Sequence, residues 1–170
     1  MFVLGIDPGL SRCGYCVLDA SSHRRPRAAA LGVLTTPTDR TVPQRLAELR
    51  SDVGALLDEF PVQVVAVERV LFQVNVRTAM SVGQASGVVM AEAAARGHHV
   101  VEYSPNEVKE SVTGDGAADK EQVQVMVQRL LGLAAPPRPA DAADAAAVAL
   151  CHAARAPWLD AAGAAVEVTA

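Results

Sequence analysis

The sequence predicts an α/β domain built on a mixed five-stranded sheet flanked by helices, and three observations lead to this prediction. Residues 2–35 contain three short, mostly apolar runs separated by turn residues, which is typical of an antiparallel meander. Residues 43–132 then alternate between helical and strand-like hydrophobic patterns, which indicates helices that connect strands across the faces of the sheet. The chain is also rich in alanine, with only 4% aromatic residues, which favours close packing of helices on the sheet.

Five strands are predicted from apolar runs and from the turn residues that bound them. Pro8-Gly9 marks the turn between the first two strands. The run VQVVAVE after Pro61 is rich in β-branched residues and almost continuously hydrophobic, as expected for a strand buried on both faces. The predicted strands comprise residues 2–7, 13–18, 28–35, 62–68 and 98–103.

Four helices are predicted from apolar residues at helical spacing and from residues that suit helix ends. Pro43 suits a helix start, and so does Asp119 with Gln122 three residues later, whereas Gly97 suits a helix end. The last helix is alanine-rich and follows the segment PPRP. The predicted helices comprise residues 43–59, 76–96, 119–132 and 140–155.

The 170 residues suit a single domain, because domains cluster near roughly 100 to 150 residues. We expect this domain to span residues 1–156 and residues 157–170 to form a loosely ordered C-terminal tail. The longest apolar runs are shorter than the roughly 20 residues that cross a bilayer. The N-terminus lacks the features of a secretion signal, so a cytoplasmic location is expected.

The formal net charge of −4 argues against a protein that coats nucleic acid through bulk electrostatic attraction, although local basic patches remain available. The densest basic run, residues 23–27, is interpreted first as a solvated hairpin turn. Further single basic residues outside this run include Arg69, Arg77, Lys109, Lys120, Arg129 and Arg138.

Three cysteines, Cys13, Cys16 and Cys151, cannot all pair within one chain, which suits a reducing compartment. Cys13 and Cys16 form a C-x-x-C motif, but they lie in a predicted strand whose alternation places their side chains on opposite faces. No second cysteine or histidine pair is nearby, so a structural role is favoured over a metal or redox site.

Two predicted strands end in a carboxylate, Asp7 in the first strand and Glu68 in the fourth. An ionised carboxylate beside a core is costly unless it is paired or bound to a metal. For either residue alone, the start of a solvated loop or a helix cap is the simpler explanation. The two together favour a functional site.

Asp141 and Asp144 lie three residues apart at the start of the last predicted helix and therefore share one face. Helix capping is the competing interpretation, because the macrodipole stabilises acidic residues at a helix N-terminus. Their alanine neighbours suit close packing, which favours convergence of both aspartates with Asp7 and Glu68 at one edge of the sheet. Such like charges repel one another, and bound cations resolve the repulsion.

Four carboxylates predict Mg²⁺ or Mn²⁺ rather than Zn²⁺, because hard oxygen ligands select these ions. Two such ions can ionise a water and stabilise the leaving oxygen of a phosphodiester, so the set predicts a nuclease. Lys109 and Lys120 are the chain's two lysines, and both lie in the polar segment between the last strand and the final two helices. Surface solubility explains them equally simply, but an ammonium group near a scissile phosphate can neutralise developing charge.

Several motifs occur together and in order: FVLGIDPGLSRCGY, VVAVERVLF, VGQASG, YSPNEVKESVTGDGAADKEQVQ and PADAADAAAVALCHA. Over about residues 2–155, the chain resembles the RuvC family of bacterial Holliday-junction resolvases, which are crossover junction endodeoxyribonucleases of ribonuclease H-like fold. The resemblance implies a homodimer that nicks two strands of a four-way DNA junction symmetrically in recombination and repair. It also implies Mg²⁺, with two ions per active site and Mn²⁺ as a substitute, and cooperation with the branch-migration proteins RuvA and RuvB.

The resemblance also assigns residues. The family's four acidic residues fall on Asp7, Glu68, Asp141 and Asp144, and its important lysines fall on Lys109 and Lys120. We expect DNA contacts from Arg69, Leu71, Phe72, Arg77, Lys109 and Lys120. One position departs from the family: relatives carry a base-stacking aromatic three residues after the strand-end glutamate, where this chain has Leu71 followed by Phe72. Phe72 takes the stacking role, or Leu71 acts as an apolar wedge, or Phe72 simply anchors the loop in the core.

Three other functions compete with this one. A YqgF-type nuclease with an RNA substrate shares the G-I-D-x-G motif, but VGQASG and ADKEQV favour the resolvase. Actin-like sugar kinases and chaperones also open on this motif, but they close two domains around ATP and need more than 170 residues. A non-catalytic junction-binding module is the third, and four carboxylates argue against it.

Overall fold

The computed structural model describes the backbone of residues 1–22, 25–70 and 76–167, and the side chains of these residues except 76–78 and 157–167. Within them the strands are β1 (Phe2–Asp7), β2 (Arg12–Asp19), β3 (Arg27–Thr35), β4 (Val64–Glu68) and β5 (His99–Tyr103). They form one sheet in the order β3-β2-β1-β4-β5. β2 pairs antiparallel with β1 and β3, whereas β4 pairs parallel with β1 and β5. The predicted mixed five-stranded sheet is confirmed.

The helices of the described residues are α1 (Val42–Glu59), α2 (Val76–Ala95), α3 (Pro105–Thr113), α4 (Lys120–Leu131) and α5 (Ala140–Glu167). Three of the four predicted helices agree with α1, α2 and α4 to within one residue at either end. The predicted capping residues also agree, since the Asp119 side chain accepts a hydrogen bond from the Gln122 backbone N–H at the start of α4.

Helix α3 was missed by the sequence analysis, which treated the segment after β5 as polar and irregular. The helix begins with a capping box in which the Ser104 hydroxyl accepts from the Glu107 N–H and the Glu107 carboxylate accepts from the Ser104 N–H. Pro105 occupies the first turn, and Gly114 ends the helix in the left-handed conformation. Only Val108 and Val112 are buried, so a nine-residue helix shows little hydrophobic periodicity.

The end of the last helix was also predicted wrongly, because α5 continues past residue 155 to Glu167. The predicted end lies two residues before Pro157. The alanine-rich sequence beyond it favours helix strongly enough to continue the backbone. That residues 157–170 are loosely held stays a prediction, as does the domain boundary at residue 156.

The sheet lies between two helical layers, each with its own apolar core. One core joins the sheet to α1 and α2, and the other joins it to α3, α4 and α5. Cys13 belongs to the first core and Cys16 to the second, which confirms that their side chains lie on opposite faces. All three cysteines are free and buried, and burial raises the pKa of the Cys13 and Cys16 thiols to about 12.

Helix α5 packs against β1 and β2 at very short range, because the strands present glycines to it. A methyl group at Gly5 would overlap the backbone of Ala145 and Ala149, and one at Gly14 would overlap the carbonyl of Asp141. The facing residues of α5 are fully buried alanines. Small side chains on both partners therefore fix the start of α5 beside the end of β1. None of the described helices is long and apolar enough to cross a membrane.

Candidate active site

Asp7 and Glu68 lie side by side at one edge of the sheet. They end the neighbouring parallel strands β1 and β4, in which Ile6 is paired with Val67. Both side chains are partly exposed. The prediction that these two strand-end carboxylates meet is confirmed.

Helix α5 adds Asp144 to the same place and holds Asp141 beside it. Asp7, Glu68 and Asp144 line one cleft, while Asp141 does not line it but is near enough for its charge to act on Asp7. Three of the four predicted carboxylates thus share a cleft, and the fourth lies at its border.

Two helices close the other side of the cleft and supply its cations. Lys109 comes from α3 and Lys120 from the first turn of α4. The remaining lining residues are apolar: Pro105, Val108, Val123 and Ala147. The missed helix α3 is therefore the element that brings Lys109 to the carboxylates.

Asp7 carries the most strongly perturbed carboxyl group of the cleft. Its pKa is raised to about 8, first by burial and then by the negative charges of Glu68, Asp144 and Asp141. Burial and the charge of Asp144 also raise the pKa of Glu68. Near neutral pH the cleft therefore holds a proton that a bound cation would replace.

Asp141 and Asp144, near the start of α5, are each paired with a cation of the chain. The Lys120 ammonium donates to Asp144 Oδ2 at 3.0 Å, and this hydrogen bond raises the pKa of Lys120. The Arg12 guanidinium donates to Asp141 Oδ2 from Nε at 3.1 Å and from Nη2 at 2.8 Å. Asp7 and Glu68, deeper at the strand ends, share a hydrogen bond, and within the described residues the cations that act on them are the more distant lysines.

Within the described residues, no three Asp, Glu, His or Cys side chains are arranged to share a metal ion. Arg12 and Lys120 hold Asp141 and Asp144 in ion pairs instead. The donor chemistry nevertheless fits Mg²⁺ or Mn²⁺, since every candidate ligand is a carboxylate. Burial and the repulsion among the carboxylates raise the pKa of Asp7, and a divalent cation relieves the repulsion.

Of the other predicted DNA-binding residues, the structure describes Arg69 fully, Arg77 by its backbone, and Leu71 and Phe72 not at all. Arg69 is exposed immediately after β4, and its backbone N–H donates to the Tyr103 carbonyl at 2.8 Å, which fixes its position beside Glu68. Arg77 lies in the first turn of α2, and its side chain is not among those described. Leu71 and Phe72 lie outside the described residues.

Arg12 is the charged residue of this edge that the sequence analysis missed. It is the first residue of β2, and Asp7 is paired with Gly14 in the β1–β2 hairpin, so Arg12 lies at the same edge as the carboxylates. The register of this hairpin is the sequence signal that would have placed it there.

The strand order, the layers of helices and the acidic edge define an α/β protein of ribonuclease H-like fold. The sequence model of the RuvC family, crossover junction endodeoxyribonuclease, matches residues 3–152. The chain therefore belongs to the RuvC family, as the motifs predicted, and the YqgF-type alternative is not favoured.

Individual relatives agree with this assignment. The crossover junction endodeoxyribonuclease RuvC of Pseudarthrobacter chlorophenolicus is 49% identical over 98% of this chain and 85% of the relative. The corresponding protein of Streptomyces avermitilis is 52% identical over 92% of this chain and 89% of the relative. Among solved structures, T. thermophilus RuvC in complex with Holliday junction substrate superposes with a TM-score of 0.87 at 36% identity, covering 92% of this chain and 94% of that one.

Proposed function

We propose that this protein is a structure-specific DNA endonuclease that resolves four-way junctions by paired, symmetric nicks in recombination and repair. Asp7, Glu68, Asp141 and Asp144 bind two Mg²⁺ ions per active site, for which Mn²⁺ substitutes. The family to which the chain belongs supports the reaction. The observation that carries the site is the meeting of three carboxylates and both lysines of the chain in one cleft.

The four carboxylates supply the negative charge that holds the metal. When bound, Mg²⁺ lowers the pKa of a water and stabilises charge on the scissile phosphate. Asp7 gives up its proton on binding, because its raised pKa keeps it protonated near neutral pH without a cation. Glu68 ends the adjacent strand, so the rigid sheet rather than a loop positions both side chains.

The two lysines act on the DNA rather than on the metal. Lys109 and Lys120 line the same cleft as the carboxylates, so a phosphate held there lies within reach of both ammonium groups. Lys120 exchanges its bond to Asp144 for a bond to the phosphate when the acidic charge is neutralised. Its positive charge then stabilises the charge that develops on the phosphate oxygens.

DNA outside the cleft is bound by basic and apolar residues that follow β4. Arg69 is exposed next to Glu68 and contacts a phosphate of the cleaved strand. Arg77 adds a second backbone contact, and Phe72 or Leu71 contacts unstacked bases at the branch point. Stacking of a base on an aromatic side chain contributes roughly 1 to 3 kcal/mol, so this contact affects opening of the junction more than chemistry.

Two symmetric nicks require two active sites, and we propose a homodimer that packs through α2. One face of this helix carries Met80, whose side chain is 60% exposed, together with Gly83 and Gly87. A methyl group at either glycine would meet no atom within 4 Å among the described residues. A helix with such a face can approach a second copy closely. Sedimentation of wild type and Gly87→Glu tests this, since a charge on that face should produce monomers.

The dimer works in the cytoplasm with the branch-migration proteins RuvA and RuvB, which deliver the junction. This part of the proposal rests on family membership.

The proposed activity is tested with a synthetic four-way junction whose four strands carry different labels. Mg²⁺ should produce nicks at symmetric positions in two opposing strands, and chelation should abolish them. Cleavage of structured RNA with no cleavage of the junction would overturn the proposal in favour of the YqgF-type activity.

A further inference from the structure

Arg12 holds Asp141 by a two-pronged contact to a single oxygen. Its Nε and Nη2 donate to Oδ2 at 3.1 and 2.8 Å, so the guanidinium plane faces one lone-pair side of the carboxylate. The two residues are 129 positions apart in the chain, and the pair joins the start of β2 to the first turn of α5.

The backbone of Arg12 is fixed by the turn that follows Asp7. Gly9 faces the Arg12 carbonyl so closely that a methyl group on Gly9 would overlap it, and β2 is paired with Thr35 on its other side. The guanidinium therefore reaches Asp141 from a rigid base at the same sheet edge as Asp7.

The Arg12–Asp141 ion pair is strong enough to orient the Asp141 carboxylate and weak enough for another cation to replace Arg12. Side-chain exposure is 49% for Arg12 and 31% for Asp141, so solvent screens the pair. Asp144, about one turn further along α5, is likewise held by Lys120. Asp141 and Asp144 are thus paired with cations, whereas the strand-end pair Asp7 and Glu68 shares a proton.

We propose that Arg12 is a positioning residue that holds Asp141 at the border of the cleft and competes with the divalent cation for this carboxylate, so that it weakens metal binding in the absence of DNA. The inference rests on the proposed ligand role of Asp141. Metal can bind all four carboxylates only after Arg12 releases Asp141, and the apparent affinity is reduced by the fraction of molecules in which it is released. A phosphate entering the site offers the released guanidinium a new acceptor, which couples metal binding to DNA binding.

The test is a titration of DNA-free protein with Mn²⁺. Binding is measured by calorimetry and by the electron paramagnetic resonance signal of free Mn²⁺. Arg12→Gln removes the charge and should bind Mn²⁺ about two- to fivefold more tightly than wild type, the range expected for an exposed ion pair. The Mn²⁺ affinity of Arg12→Lys should lie between those of wild type and Arg12→Gln. The matched control is Arg40→Gln, because Arg40 is an exposed arginine that forms a similar pair with Glu48 on α1. It should leave the affinity unchanged.

A double-mutant cycle separates this inference from the proposed function. In an Asp141→Asn background, Arg12→Gln should no longer change the Mn²⁺ affinity. An unchanged or weaker affinity in the single Arg12→Gln variant overturns the inference, and so does an effect that persists in the Asp141→Asn background. If Asp141→Asn alone leaves Mn²⁺ binding at the wild-type level, the proposed ligand set has failed instead.

Discussion

Gly14 of β2 lies directly against the backbone carbonyl of Asp141, at the first turn of α5. No side chain fits between them, and Ala145 and Ala149 continue the same close contact along the helix, against Gly14 and Gly5. A glycine in one element thus sets the distance of an acidic residue in another from the strand that ends in Asp7. The geometry of the proposed metal site depends on this contact.

Gly14→Ala should therefore impair the site as well as the fold. The added methyl group must push the start of α5 away from β2, which we expect to cost about 1 to 3 kcal/mol of stability, as overpacking of a core does. Asp141 and Asp144 move with the helix, so junction cleavage and Mn²⁺ affinity should both fall.

The matched control is Gly116→Ala, where the added methyl group meets the nearest atom at 3.5 Å, an ordinary contact. It should keep wild-type cleavage. The measurements are chemical denaturation and cleavage rate at saturating metal. A Gly14→Ala protein with wild-type stability and rate would show that the close contact is not required.

Asp7 should make the metal-free protein less stable as the pH rises. Its pKa is raised from 3.8 to about 8 in the folded protein, so above pH 4 the unfolded chain loses this proton while the folded protein keeps it. The folded state then binds more protons, and stability falls between about pH 4 and pH 8. Asp7→Asn removes this pH dependence of stability, so the variant should be more stable than wild type at pH 7. The difference in the free energy of unfolding should shrink towards pH 4.

The measurement is urea denaturation in chelator at several pH values, with exposed Asp39→Asn as the control. In saturating Mg²⁺, wild type should be more stable than Asp7→Asn, because metal stabilises only the protein that binds it. Parallel pH curves for wild type and Asp7→Asn would contradict the raised pKa.

The sequence alone predicted those residues of the site that are marked by a local pattern of apolar and charged residues. Strands that end in Asp7 and Glu68 stand out because an apolar run stops at a carboxylate. Helix α3 was missed although Ser104, Pro105 and Glu107 form a complete start signal, because two buried valines give too little periodicity. The Arg12–Asp141 pair could not be predicted, since it joins residues 129 positions apart whose approach depends on the packing of α5 on β2.

The lysines should affect the rate of cleavage more than the affinity for DNA. Lys109→Ala and Lys120→Ala each remove a cation from the cleft that holds the carboxylates, and loss of one such stabilising group costs roughly 10²- to 10³-fold in rate. Loss of one phosphate contact changes the slope of log affinity against log salt concentration by only about one. Single-turnover cleavage and binding in Ca²⁺ measure the two effects separately, with Arg129→Ala, an exposed basic residue of α4, as the control. Equal losses of rate and affinity would make the lysines ordinary backbone contacts.

Junction DNA should be bound in preference to linear duplex despite the net charge of −4. A symmetric dimer presents two local basic surfaces to two arms of one rigid substrate, so the second contact is effectively intramolecular. Competition of labelled junction against excess linear duplex at near-physiological salt measures this preference. Equal affinity for the two DNAs would exclude junction-specific resolution while leaving a less specific nuclease activity possible.

The most direct test of the proposed active site compares wild type and Asp7→Asn on one four-way junction, with binding and cleavage measured in the same Mg²⁺ buffer. Asp7 is a proposed metal ligand and is not one of the basic residues proposed to contact DNA, so its loss should remove metal binding and leave DNA binding largely intact. We expect Asp7→Asn to bind the junction within about twofold of wild type, a difference of about 0.4 kcal/mol, and to produce no nicks. Cleavage by Asp7→Asn at a rate near that of wild type would contradict the account.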